Sequence, residues 1–259
     1  MIKRHHWELI AVLVLAAVPT SSPLAFELKY LDQTGTVLDY SLKITRDNEA
    51  TSVDVQRRVD SNQGGVLTIT TAFANGQSSR GGIVTLIPGM DGTNLRTVMD
   101  EHGVVSSVTP LGDFAATLNS LNLAVDRDLW HSLGISSFPA GDRAVGDSWT
   151  KSASGGNLFT YRIAEEGLSL SGYSSVVRIH ITSTIELDNR QEVFKARKSF
   201  YSRGRIGFTG DIYFDVDVGR IVRQAVSLNT HVLTVVVDLD GTPQISHDEG
   251  VTNVELTIQ

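Results

Sequence analysis

Leu38-Asp39-Tyr40-Ser41-Leu42-Lys43-Ile44-Thr45 alternates apolar and polar side chains without a break. Successive residues of a β-strand point to opposite faces, so this octapeptide predicts one buried face and one wet face. The same period recurs outward from it. Val53, Val55 and Val59 follow, then Leu67, Ile69, Thr71 and Phe73. The second half repeats it at Val177, Ile179, Ile181 and Ile185, and again at Ile212, Phe214, Val216 and Val218. It closes with Val254, Leu256 and Ile258. Thr, Val and Ile dominate these runs, as suits a half-buried pleated surface. Asn75-Gly76, Asp91-Gly92, His102-Gly103 and Asp240-Gly241 read as tight turns between them. Repeated hairpins with one polar face predict antiparallel pairing, because parallel sheets bury both faces.

The middle of the chain breaks the pattern. Asp113 is placed to N-cap a short helix that carries Phe114, Leu118 and Leu121 on one side. Asp126 to Leu133 adds a further turn or two, and an irregular stretch with Pro139 runs on to Gly146. The fold expected is therefore mainly β. It is a long antiparallel sheet, curved or partly open and barrel-like, with a short helical insert around 113–133. Residues 26–259 read as one β-rich domain, with strands over 26–110, the insert over 111–134 and strands over 148–259. No low-complexity linker divides it.

Residues 1–25 have the layout of a secretory signal peptide. Lys3, Arg4, His5 and His6 precede an apolar run over 9–18, and Pro19, Ser21, Ser22, Pro23 and Ala25 form a small, turn-prone exit. The run is shorter than the roughly 20 residues of a membrane-spanning helix, so no integral span is expected after cleavage. This places the remainder outside the cytoplasm, in the periplasm or the extracellular space. The chain has no cysteine, which excludes disulfides, thiolate metal sites and a lipid-modified N-terminal Cys. A chain of this length buries a sizeable core without disulfides, and a bacterial exported protein is the natural reading. The net charge is -7, and loss of Lys3, Arg4 and Glu8 makes the remainder one unit more acidic. Nucleic acid calls for a basic field, so no such partner is expected. Charge alone also disfavours docking on anionic headgroups.

Two short boxes carry a resemblance. Phe138-Pro139 precedes Ala144-Val145-Gly146-Asp147-Ser148-Trp149, and a strand with Tyr161 follows. Further on, Gly204-Arg205-Ile206-Gly207 leads to Phe214-Asp215 and Gly219-Arg220-Ile221. Over about residues 135–230 this resembles a family of uncharacterised exported bacterial β-rich proteins, with a Val-Gly-Asp-x-Trp box and a Phe-Asp-x-x-x-Gly-Arg turn. The resemblance implies compartment and fold type, and no chemistry. More distantly, the architecture is similar to the periplasmic lipoprotein-carrier fold, in which a curved, incompletely closed sheet cups acyl chains. Architecture alone does not fix function.

Catalytic constellations are not legible. Gly146-Asp147-Ser148 also opens a lipase motif, but here it lies mid-chain among strands, and the only Asp-x-x-His, Asp128 to His131, precedes it. The expected roles are structural: Gly146 permits a turn, Asp147 and Ser148 bond nearby backbone, and Trp149 anchors in the core. Asp211, Asp215 and Asp217 share one predicted strand face, and Asp238 and Asp240 flank another strand end. They lack the ligand spacing of a calcium loop. His102, His131, His180, His231 and His247 are scattered, and His180 is expected on a polar face. No catalytic residue, metal site or cofactor is therefore predicted. Lys195, Arg197, Lys198, Arg203 and Arg205 form a basic cluster in an acidic chain, which Arg57 and Arg58 would extend.

Three functions stand in order. The first is a non-enzymatic exported protein that holds a lipophilic ligand in its curved sheet, with Tyr40 and Phe214 on the inward face and Lys195 and Arg197 as rim anchors for an acidic headgroup. The second is an assembly module acting through protein contacts. The third, a hydrolase, has the least support.

Overall fold

The structure is a computed structural model and describes residues 25–87, 91, 93–111, 135–152, 157–193, 198–237 and 242–259. Strands make up 77% of it, no helix occurs among the described residues, and the antiparallel sheet is large and unclosed. The expected helical insert at 113–133 lies outside the described residues.

The strands are β1 (Phe26–Glu27), β2 (Val37–Arg46), β3 (Glu49–Gln63), β4 (Val66–Arg80), β5 (Ile83–Leu86), β6 (Thr93–Asp100) and β7 (Val105–Leu111). The second half holds β8 (Asp142–Arg143), β9 (Ser148–Ser152), β10 (Leu158–Leu170), β11 (Tyr173–Val193), β12 (Lys198–Asp215), β13 (Arg220–Val237) and β14 (Pro243–Ile258). The main sheet runs β7-β6-β4-β3-β2-β14-β13-β12-β11-β10-β9, with β5 beside the far end of β4 and β1 paired separately with β8. The pairing of β2 with β14 joins the two halves of the sequence into one surface.

The opening octapeptide behaves as its pattern predicts. Leu38, Tyr40, Leu42 and Ile44 are buried, as are Val53, Val55 and Val59 of β3 and Leu67, Ile69, Thr71 and Phe73 of β4. Cross-strand rows carry the same face through the sheet. One row runs Ile163, Ile179, Ile212, Gln224, Leu256, Leu42 and Val53 from β10 to β3, and every member is buried.

Hydrogen bonds show how strongly this surface curls. Six strand steps separate β6 from β12, roughly 29 Å across a flat sheet at about 4.8 Å per step. Yet the Tyr30 amide donates to the Glu101 carbonyl at 2.6 Å, just past β6, and the next amide, Leu31, donates to Gly219 at 3.3 Å, just past β12. Adjacent amides lie within about 4 Å of one another, so the two turns nearly meet. The sheet is rolled around its apolar face, and residues 28–32 cross one mouth of the roll. We term that mouth the base and the opposite one the rim.

One turn expectation changes. Asn75-Gly76 is not a hairpin. β4 runs through it as a bulge, with Asn75 at φ 52 and a register shift between Ser52 and Asp54 on β3. An extra residue with positive φ fits a bulge as readily as a turn. The hairpin comes later at Gly81-Gly82, whose φ values of 56° and 85° suit the two-residue turn with both positions left-handed. Asp240-Gly241 lies outside the described residues, as does Gly92 of the Asp91-Gly92 pair.

The sheet is uneven in height. The row Ser183, Phe208, Leu228, Thr252, Arg46 and Glu49 is the last to reach β3. Beyond it, among the described residues, β11, β12, β13 and β14 continue as a four-stranded ribbon past the rim.

Candidate functional site

The inner face divides into a filled base and a less covered rim. The two sequence boxes build the base. Phe214 is fully buried, with its ring 4.8 Å from Phe138 and 5.7 Å from Tyr30. Asp215 is buried too, and its carboxylate accepts from the amides of Asp217 at 3.0 Å, Val218 at 3.1 Å and Ser175 at 3.3 Å. That acceptor set fixes the β12–β13 turn. Gly219 has φ 65°, and a Cβ there would sit 2.5 Å from the Leu31 amide nitrogen and 2.6 Å from the Lys29 carbonyl oxygen. Only glycine lets residues 29–31 lie so close. Arg220 then reaches Asp32 at 2.6 Å. Phe-Asp-x-x-x-Gly-Arg is thus a seat for residues 28–32, with one function per residue.

The other box holds the second segment that crosses the base. The Gly146 amide donates to the Ile163 carbonyl at 2.9 Å, the Ile163 amide to Asp147 at 2.9 Å, and the Ala144 amide to the Asp147 carboxylate at 3.1 Å. Asp147 acts on backbone, as expected, while Ser148 opens β9 in register with Arg162. Trp149 stacks on Tyr161 at 5.3 Å, nearly parallel, and its Nε1 donates to the Ser137 carbonyl at 3.4 Å. It is only partly buried, so it flanks the core rather than filling it, because β9 is the edge of the sheet. Tyr30 Oη donates to the Ser136 carbonyl at 3.2 Å and accepts from the Ser136 amide at 2.8 Å, which ties the two segments together.

Polar groups lie beneath this cover. Arg57 shares the inner face with Val55 and Val59, is 7% exposed, and sits 5.2 Å over the Tyr40 ring. It therefore does not extend the basic cluster, whereas Arg58 faces outward to Asp60 at 2.8 Å. Tyr40 Oη donates to the Ile221 carbonyl at 3.1 Å, and burial pushes its phenol up to about 12. Burial also holds the Asp32 carboxyl above the usual range, against Arg220 and Arg57, which pull it down.

Of the four residues predicted to touch ligand, Tyr40 and Phe214 are inward and buried at 2% and 0% exposure. Their surroundings are the protein's own rings and guanidinium groups, so they floor the inner face. Lys195 and Arg197 lie outside the described residues. Arg203 and Arg205 stand in register opposite Asp188 and Glu186 of β11. That part of the cluster is a mixed-charge outer face. His180 bonds Asp211 at 3.0 Å on the same outer side. Asp211 and Asp215 keep the same parity on β12, as expected, since β12 pairs with β11 without a register shift and the bulge against β13 lies at Val222. No cluster of metal-ligating side chains occurs among the described residues.

Toward the rim the inner face stays apolar but loses cover. Phe159 packs edge-on against Phe208 at 5.3 Å. Above them Ile185, Leu187, Ile206 and Val232 continue the inner parity and are half-buried. Sequence reasoning overlooked Leu187 and Val232 here, although their parity with Ile185 and Leu228 was the available signal. It also overlooked Leu28, Tyr30 and Asp32, which lie in no periodic run. No protein-family model matches the chain, and no curated protein matches it.

Proposed function

We propose that this is an exported, non-enzymatic protein that binds a lipophilic ligand on the inner face of its rolled sheet, rimward of Tyr40 and Phe214. The supporting observation is the half-buried apolar row of Ile185, Leu187, Ile206 and Val232, continuous with a fully packed core. An apolar surface of this kind gains from a guest that removes it from water. An unclosed roll gives such a guest a way in. Export follows from the basic start and apolar run over residues 1–25, and sequencing of the chain from its native host should find a mature N-terminus near Phe26. Titration with a fluorescent fatty acid tests the binding. The wild type should saturate, and Ile206→Glu with Val232→Glu should weaken binding at least about tenfold. Absence of saturable binding in the wild type sinks the reading.

Assembly through strand addition rests on a different observation. β14 pairs with β2 only over Thr252–Ile258, so the edge over 243–251 carries no strand among the described residues. Extended peptides add to such edges through main-chain bonds. Light scattering showing a stable oligomer, with no fatty-acid binding, would put this reading ahead.

A further inference from the structure

Lys151 brings a cation to the inner face. It lies on β9, the last strand of the main sheet. Register sets it opposite Phe159, as Trp149 is set opposite Tyr161. Directly opposed residues share a face, so Lys151 points inward with Trp149 and Tyr161. Exposure along β9 alternates accordingly. Ser148, Thr150 and Ser152 are exposed, while Trp149 and Lys151 are half-buried. The row of Lys151 continues through Ser183 to Phe208. Phe159 and Phe208 are the edge-on pair at which the inner face begins to lose cover.

No anion touches this cation. At the far end of the same row Arg46 is paired with Asp248, but Lys151 makes no hydrogen bond or ion pair among the described residues. Asp100 is the acid that attracts it. The Asp100 carboxylate is already committed, since it accepts from the amides of His102 at 3.0 Å and Val104 at 2.8 Å in the β6–β7 turn. Burial holds the Lys151 ammonium below the usual lysine range, against Asp100, which raises it. A half-buried charge of this kind gains from an anion in direct contact.

The half-buried apolar side chains begin next to it. Ile185 stands two strand steps from β9 and two residues rimward of Ser183, about 10 Å across and about 7 Å along. Ile206 is one step further, opposite Ile185. A long acyl chain covers that path. A small polar anion would leave Phe159, Ile185 and Ile206 in water, and a neutral lipid would leave the ammonium without a counter-charge. An amphiphile with one acidic headgroup meets both needs. We propose that the inner face binds a long-chain carboxylate, with its headgroup at Lys151 and its tail along Phe159, Ile185 and Ile206. This rests on the reading of the inner face as a lipophilic site and adds the charge and the orientation of the guest. It assigns the headgroup to Lys151 in place of Lys195 and Arg197.

Isothermal titration calorimetry with hexadecanoic acid and with hexadecan-1-ol tests it on the chain from Phe26 onward. The wild type should bind the acid at least about tenfold more tightly than the alcohol. Lys151→Gln should bring the acid to within about twofold of the alcohol and leave the alcohol unchanged, with the wild-type melting curve. Lys151→Met, which keeps the aliphatic stem without the charge, should do the same, so the test survives if one variant folds poorly. Lys151→Arg should retain the preference for the acid. Lys43→Gln, which removes an exposed cation from the outer face of β2, should alter neither affinity. Equal binding of acid and alcohol by the wild type overturns the proposal, and so does an undiminished preference for the acid in Lys151→Gln and Lys151→Met. Both outcomes leave the lipophilic site standing. Saturable binding of neither compound overturns that reading together with this one.

Discussion

Base and ribbon are made of the same strands and have the same alternation, yet they differ in cover. At the base, Ile179, Ile212 and Phe214 of β11 and β12 are fully buried. A few residues further along, Ile185 and Ile206 on the same face are only half-buried. The alternation decides which way a side chain points. What lies across from it decides whether it is buried. At the base two non-repetitive segments, 28–32 and 135–138, lie against the face and are locked there by Gly219, Arg220 and the Tyr30–Ser136 bonds.

Phe214→Ala is the strongest way to probe this contrast. Loss of a fully buried ring costs about 3–5 kcal/mol, and melting should fall by roughly 10 °C or more for a chain of this size. Differential scanning calorimetry checks it. Arg220→Met comes next. It leaves Asp32 buried without its ion-pair partner, at a cost of about 3 kcal/mol at neutral pH by urea denaturation. Asp32→Asn should cost less, because both charges are not equally stranded: Arg220 is the more exposed of the two. The pH dependence has a definite sign. Asp32 has its folded pKa raised by burial. It therefore contributes stability below its unfolded pKa that is lost as pH rises through the folded value. Asp32→Asn should flatten the profile just above the ordinary carboxylate range, and Arg220→Met should steepen it.

Gly103→Ala tests the second segment. Gly103 has φ 77°, and a Cβ would meet the Ser136 carbonyl oxygen at 2.2 Å. A cost of about 2 kcal/mol is expected from strain alone, with faster proteolysis near residues 135–138. Ile206→Ala on the ribbon should cost only about 1 kcal/mol, since its side chain is only partly withdrawn from water. A loss as large as that of Phe214→Ala would erase the distinction between the two regions. The smallest effect belongs to His180→Ala on the outer face, within about 0.5 kcal/mol.

Most of the sheet was legible in the sequence because its signal is local. Leu38 to Thr45 states its own faces, and so do Leu67 to Phe73. Arg57 was legible in principle, since it shares parity with Val55 and Val59, but its charge suggested the surface. Asn75-Gly76 misled because a bulge and a hairpin both ask for positive φ. The seat for residues 28–32 was not legible. Its parts, Glu101, Gly219 and Arg220, are brought together only by curling, and curling leaves no period in the chain. Phe-Asp-x-x-x-Gly-Arg was visible as a motif, but its purpose became clear only from what lies against it.

The pairing of Thr252 with Arg46 sets an order on events. β2 is made before β14, with every strand of the second half between them, so the strand that joins the two halves of the sheet has no partner until residues 252–258 are present. Residues 28–32 wait in the same way for the β12–β13 turn. Contacts between distant parts of a chain form slowly, because the loop they close must be ordered first. Each half therefore has an unpaired edge for an extended time, β2 on one side and β13 on the other, both rich in Val, Ile and Leu. Such edges invite aggregation before completion. A chain with this topology gains from keeping both edges unstructured until β14 has been made.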